Sequence, residues 1–206
     1  MAGRDLPRGG AAADPRGGGA SEPRSAASAE LAREICLRQL AVQPRTRREL
    51  ATALRRRGFP DDVIDQVLDR YAEVGIIDDE AFARAWVTSR HRGRGLARRA
   101  LAGELRRKGV DPEAVDRALD EVDSGVEERT ARALVARRMR VERSASPDAA
   151  FRRLVGMLAR KGYPAVLAIR VVKEALAAEA ATAEFADGID PDALADAAEP
   201  GGNGCR

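Results

Sequence analysis

Between residues 31 and 178 the apolar positions recur three and four apart, the spacing of one face of an α-helix. No stretch alternates cleanly with the period of two that a half-buried strand shows. The pattern also occurs three times. "LATALRRRGFPDDVIDQVLDR" (50–70), "LAGELRRKGVDPEAVDRALDE" (101–121) and "LVGMLARKGYPAVLAIRVVKE" (154–174) align without a gap. Leu50/Leu54, Leu101/Leu105 and Leu154/Leu158 coincide. So do Gly58, Gly109 and Gly162, each between a basic pair and Phe59, Val110 or Tyr163. Downstream, Ile64, Val67, Leu68 and Tyr71 match Val115, Ala118, Leu119 and Val122, then Ala168, Val171, Val172 and Ala175, each set at i, i+3, i+4, i+7. A period near 50 residues marks a modular array whose neighbouring units complete one another's cores.

Each unit reads as three helices, and the fold class is all-α. In the first unit an opening helix spans about 31–41, a second 47–57 and a third 61 to about 74. Thr46 and Glu49 form a T-x-x-E capping box at the start of the second. The three glycines suit the left-handed position that ends a helix. Asp111-Pro112 supplies an N-cap and an N1 proline. The second unit opens at Asp78-Asp79-Glu80 with Phe82, Ala85 and Trp86 on one stripe. "SRHRGRG" (89–95) then ends that helix and forms a connector in which Gly93 and Gly95 turn the chain. In the third unit, helices over about 126–141, 149–160 and 164–178 are joined by a looser "ERSASPDA". The organisation predicted is a disordered extension over 1–29, repeats over 30–77, 78–123 and 124–178, and an acidic, mostly disordered tail over 179–206. The flanks carry Gly, Pro, Ser and Ala without periodicity and offer too little apolar surface to offset their ordering entropy.

Charge changes this picture more than composition does. The net charge is +3, but residues 31–178 carry 31 basic and 22 acidic side chains, whereas 179–206 carry 1 and 7. A basic centre points to an anionic partner, and the acidic tail is able to compete for it. Two cysteines without framework spacing indicate a reducing compartment, and no apolar run spans a bilayer or forms a signal peptide, so a cytoplasmic location is expected.

Catalytic chemistry finds little footing. His91 is the single histidine, placed in a Gly/Arg loop, and neither C-x-x-C nor a phosphate-binding G-x-x-x-x-G-K-[ST] occurs. Adjacent Asp78 and Asp79 suit a helix start better than acid–base work. No metal, cofactor or enzymatic activity is expected. The arginines remain. "RRELATALRRR", "LARRALAGELRRK" and "AFRRLVGMLARK" set their basic residues opposite the Leu/Ala stripe. An acidic ridge of Asp61, Asp65, Asp69 and Glu73 faces them in the first unit, is partly repeated by Glu113, Asp116 and Asp120, and is lost in the third. The positive surface left over makes Arg90, Arg92, Arg94, Arg98, Arg99, Arg106, Arg107 and Lys108 candidates for binding a polyanion. In the last unit the candidates are Arg152, Arg153, Arg160, Lys161, Arg170 and Lys173. Tyr71, Phe82 and Trp86 read as core residues rather than base-stacking platforms.

In "GIIDDEAFARAWVTSRHRGRG" (75–95), "ALAGELRRKGV" (100–110) and "RKGYP" (160–164) the chain resembles the RecX family, regulators of the RecA recombinase, over about residues 31–178. The resemblance implies an elongated, curved array of three-helix repeats, non-enzymatic and without a cofactor. It also implies binding in the groove of the RecA–DNA filament, which restrains ATP hydrolysis and strand exchange. A monomer with weak, salt-sensitive affinity for single- or double-stranded DNA and none for membranes fits that role. Both tails lie outside the resemblance. One rival is a sequence-specific DNA-binding regulator, since "TRRELATALRRRGFPDDVIDQVLDRYAEVG" reads like a helix-turn-helix. Such regulators usually carry one reading head and dimerise, whereas this motif occurs three times. An adaptor for some other protein is the second rival.

Overall fold

The structure, a computed structural model, describes residues 22–142 and 146–187. Among these every regular element is an α-helix. The chain divides into two compact units, residues 1–78 and 79–206.

The first unit holds α1 (Glu22–Val42), α2 (Arg47–Arg55) and α3 (Asp61–Glu73). Its core is the stripe read from the sequence: Leu50 and Leu54 from α2, then Val63, Ile64, Val67, Leu68 and Tyr71 from α3. These close on Ala29, Ala32, Ile35 and Cys36 of α1. The Tyr71 hydroxyl donates to the Arg33 carbonyl at 3.2 Å, tying α3 to α1. Thr46 and Glu49 form the reciprocal capping box, with the Thr46 hydroxyl accepting from the Glu49 N–H at 3.2 Å. α1 starts at Glu22, inside the segment expected to be disordered. Its alanine-rich start is a good helix former, and Ala29 buries against the core. Residues 1–21 and 143–145 lie outside the described residues. So does 188–206, which includes most of the expected tail.

The second unit holds α4 (Asp79–Arg94), α5 (Arg98–Lys108), α6 (Pro112–Leu119), α7 (Ser124–Glu142), α8 (Pro147–Arg160) and α9 (Ala165–Asp187). One core gathers Phe82, Ala83, Val87, Leu101, Leu105, Val115, Leu119 and Val122. A second gathers Ala131, Val135, Leu154, Leu158, Tyr163, Ala168, Val171 and Val172. Ala85, expected on the buried stripe, is exposed, and the buried stripe of α4 runs through Phe82, Ala83 and Val87 instead. Asp111 caps α6 through the Glu113 N–H at 2.9 Å, and Ser146 caps α8 ahead of Pro147. α9 runs to Asp187, beyond the helix end expected near 178, and its residues 177–184 are exposed.

The middle helix of each repeat ends in the same way. Phe59, Val110 and Tyr163 donate their N–H to Leu54, Leu105 and Leu158, five residues back, while the preceding glycine donates to a carbonyl three residues back. These are the two bonds of a Schellman motif, and the glycines sit at φ 82°, 81° and 90°.

Candidate polyanion-binding face

The basic connector "SRHRGRG" has a different place from the one its composition suggests. α4 continues through Arg94 with Gly93 helical, and the chain turns only at Gly95, at φ 60°. His91 is therefore not in a loop. It lies in the last turn of α4, buried, with Nδ1 2.9 Å from the Leu96 carbonyl and Nε2 3.0 Å from the Thr130 hydroxyl on α7. The connector backbone is itself bound. Ala97 N–H donates to the Lys161 carbonyl at 2.9 Å, and the Tyr163 hydroxyl donates to the Gly95 carbonyl at 3.1 Å. Lys161 Nζ donates to the Arg94 carbonyl, and Arg98 N–H donates to Glu127 Oε1 at 2.6 Å. Burial pushes the Tyr163 phenol well above its ordinary range, so it stays a neutral donor. The tract of Gly and Arg is thus a seam fastening α4–α6 to α7–α9, with Ala97 buried in the second core.

That seam sets α5 beside α8 and the start of α9. Between them runs a groove of about 570 Å³ lined by Ala100, Gly103, Ala159, Gly162 and Ala165 and by Arg99, Arg107 and Arg160, with Glu104 the one acid among its described lining residues. A second recess of about 580 Å³ is lined by Arg138 of α7, by Arg152, Arg153 and Arg160 of α8, and by Met157. Arg160 lines both. Two glycines help to place these side chains. A Cβ on Gly103 would stand 3.5 Å from Arg107 Nη1, and one on Gly156 3.3 Å from Arg160 Nη1. At equivalent positions of two repeats, then, a guanidinium leans back over a glycine one turn earlier, the direction in which helical side chains point.

Five candidates thus converge, Arg99, Arg107, Arg152, Arg153 and Arg160, and of these Arg99, Arg107, Arg152 and Arg160 form no ion pair among the described residues. The others are engaged or stand apart. Arg90 and Lys108 lie over Trp86, at 4.2 and 4.4 Å from its ring, and the indole N–H donates to Glu104 Oε2 at 2.8 Å. Trp86 is therefore a half-buried post between two cations, stacked on Phe82. Arg98 donates to the Leu119 carbonyl at 2.6 Å and reaches Asp120 at 3.6 Å. Arg106 folds onto the Ala102 carbonyl. Arg170 binds Glu128 at 3.0 Å. Arg92, Arg94 and Lys173 are exposed and line neither recess. Arg138 was not among the candidates. The run "ARRMR" (136–140) is its signal in the sequence, but only the packing of α7 on α8 separates Arg138 from Arg137 and Arg140.

In the first unit the acidic ridge pairs with part of the basic helix. Arg47 meets Asp69 at 2.8 Å and Asp65 at 3.5 Å, and Arg55 meets Asp61 at 2.7 Å, so the acidic ridge faces the basic helix. These pairs are exposed, and each contributes about 0–1 kcal/mol.

The descriptions "RecX, first three-helix domain" and "RecX, second three-helix domain" match residues 32–70 and 78–119. A protein of Thermobifida fusca named "Regulatory protein RecX" is 53% identical over 183 residues, covering 89% of this chain and 93% of its own. One from Streptomyces coelicolor with the same name is 57% identical over 150 residues, covering 73% and 80%. Among solved structures, a crystal structure of RecX from Lactobacillus salivarius superposes with a TM-score of 0.65 at 19% identity, covering 72% of this chain and 97% of that one. A crystal structure of a regulatory protein RecX gives 0.66 at 21%, covering 75% of each. At these identities the structural likeness speaks for the helical-repeat fold.

Proposed function

The chain belongs to the RecX family of regulatory proteins, and on that premise we propose that it regulates the RecA recombinase, binding the RecA–DNA filament and restraining ATP hydrolysis and strand exchange. The observation that carries this reading is the convergence of Arg99, Arg107, Arg138, Arg152, Arg153 and Arg160 around two adjoining recesses of one compact unit. Guanidinium groups present planar pairs of donors that match phosphate and carboxylate oxygens. The face is therefore suited to nucleic-acid backbone or to acidic patches on a protein filament. The seam at Gly95–Ala97 supports the same reading, because a rigid arginine array keeps its spacing when it binds. A regulator that holds such contacts on neighbouring protomers opposes the movements that accompany hydrolysis. It needs no catalytic residue of its own, and it works as a monomer whose affinity for naked DNA is weak.

The helix-turn-helix alternative fares worse on charge. Its reading helices would be α3 and α6, whose outward residues include Asp61, Asp65, Asp69 and Glu73, then Glu113, Asp116 and Asp120. Such faces repel a phosphate backbone.

The test is single-strand-stimulated ATP hydrolysis by RecA, titrated with this protein below one copy per RecA. Inhibition at low ratios is expected, and it weakens at least tenfold when Arg152→Glu and Arg160→Glu are combined, the loss expected for about two charge-assisted contacts. No inhibition at equimolar protein and low salt removes the proposal.

A further inference from the structure

We propose that the groove between α5, α8 and the start of α9 takes an extended acidic segment of a protein partner, in the pattern acid-x-apolar-x-acid. That this partner belongs to the RecA filament rests on the reading given above; the groove's choice of ligand does not.

Charge without a partner beside open apolar surface carries the inference. Arg99 and Arg107 of α5 and Arg160 of α8 are exposed, line the groove and form no ion pair among the described residues. Half-buried Leu96 and Val155 and exposed Ala159 line it with them. The walls are held by the seam, where Ala97 N–H donates to the Lys161 carbonyl at 2.9 Å, so an occupant meets a preformed site. Arg99 and Arg107 stand eight residues apart on one helix, about 12 Å along its axis. An extended chain covers that distance in about four residues, and its first, third and fifth side chains share one face. Acids at the first and fifth positions then meet the two arginines, while the third side chain meets the apolar lining. Arg160 faces the same segment from the other wall.

Glu104 decides against a nucleic-acid strand as the occupant. It comes between Arg99 and Arg107 on α5 and lines the groove, accepting from the Trp86 indole N–H at 2.8 Å and standing 3.8 Å from Arg90. Phosphates spaced evenly along a strand set negative charge against it, whereas two acids four residues apart straddle it. Base stacking finds no platform either. Tyr163, the one aromatic among the described lining residues, is 4% exposed and donates to the Gly95 carbonyl. Naked nucleic acid still meets these arginines as exposed charge, weakly and with salt sensitivity, but leaves the apolar lining unused.

Fluorescence anisotropy on the full chain tests this with two fluorescein-labelled peptides of equal composition, Gly-Glu-Ser-Val-Ser-Glu-Gly and Gly-Ser-Glu-Val-Glu-Ser-Gly. The first, with its acids four residues apart, is expected to bind about tenfold tighter, the difference of about one charge-assisted contact. Ala159→Leu fills the groove without changing its charge. The position is exposed and leucine is a strong helix former, and circular dichroism confirms that the variant remains helical. It is expected to weaken the spaced peptide about tenfold while oligothymidylate affinity stays within about twofold. Arg107→Gln weakens the peptide to a similar degree, and Arg56→Gln, the equivalent change in the first unit, leaves it unaltered. Equal affinity for the two peptides, or full affinity in Ala159→Leu, overturns the proposal. A loss of oligothymidylate binding in Ala159→Leu that matches the peptide's also overturns it and assigns the groove to a nucleic-acid strand. If the peptides behave as stated while the parent chain fails to inhibit RecA's ATP hydrolysis, the groove's ligand stands and the filament reading fails.

Discussion

Gly58 and Gly162 hold the same position in their repeats, at φ 82° and 90°, yet a methyl group added to each meets different surroundings. Nothing lies within 4 Å of a Cβ on Gly58, whereas one on Gly162 would stand 2.7 Å from both the backbone nitrogen and the Cβ of Ala100. Gly58→Ala should therefore cost only the strain of a left-handed alanine, about 1 kcal/mol. Gly162→Ala adds a clash with the backbone of α5 and should cost at least twice as much, about 2–4 kcal/mol. Urea denaturation monitored by circular dichroism compares the two, each against its own unit's transition; equal losses would refute the seam between α5 and the α8–α9 turn. The left-handed glycines were legible from the basic pair before them and the apolar residue after. Gly162's second role was not, because Ala100 approaches it from 62 residues away. His91 shows the same limit. Its neighbours Gly93 and Gly95 read as loop, and what makes it a helical, buried residue is Thr130 on another helix.

Among elements, the α7–α9 contact is fixed by a ladder of alternating charge in which Arg132 and Arg170 both bind Glu128 and Arg132 also binds Glu174. The hydrogen bond from Arg170, with help from Arg132, holds the Glu128 carboxyl below its ordinary range. A carboxyl with a lower pKa folded than unfolded stabilises the fold above its unfolded value, near 4.3, and loses that contribution as pH falls through the folded one. Glu128→Gln should thus be less stable than the parent chain at neutral pH, with the difference shrinking as pH drops from about 5 towards 3. Denaturation midpoints of the two proteins across that range decide it; a constant difference would mean the carboxylate's charge contributes nothing. In the sequence, Arg170 looked like unpaired positive charge because the third repeat lacks the acidic ridge of the first. Its partner comes from the opening helix of the repeat, 42 residues away, a pairing that local spacing does not reveal. The ridge of the first unit, by contrast, was legible as a partner for Arg47 and Arg55, since facing helices in one repeat share a short hairpin.

For the whole molecule, the threefold pattern of Leu, Gly and the i, i+3, i+4, i+7 stripe carried the fold, because each repeat must bury the same stripe in the same way. The arginine face was only half legible. Composition marked every basic residue alike, while packing sorted them, handing Arg90 and Lys108 to Trp86, Arg98 to the end of α6 and Arg170 to Glu128. Six arginines line the two recesses, and that number has a thermodynamic consequence. Each phosphate neutralised releases bound counterion, so log K for a nucleic acid falls with log salt at about −0.7 per contact on a single strand and about −0.9 on a duplex. Six contacts give slopes of about −4 and about −5. Combining Arg152→Glu with Arg160→Glu removes two contacts, so the single-strand slope should flatten by about 1.4 and the duplex slope by about 1.8. Replacing Arg90 and Lys108, which spend their charge on Trp86, should leave both slopes nearly unchanged. If Arg90 and Lys108 flatten the slope as much as Arg152 and Arg160 do, the basic surface acts through net charge alone, and the recesses have no special standing in binding.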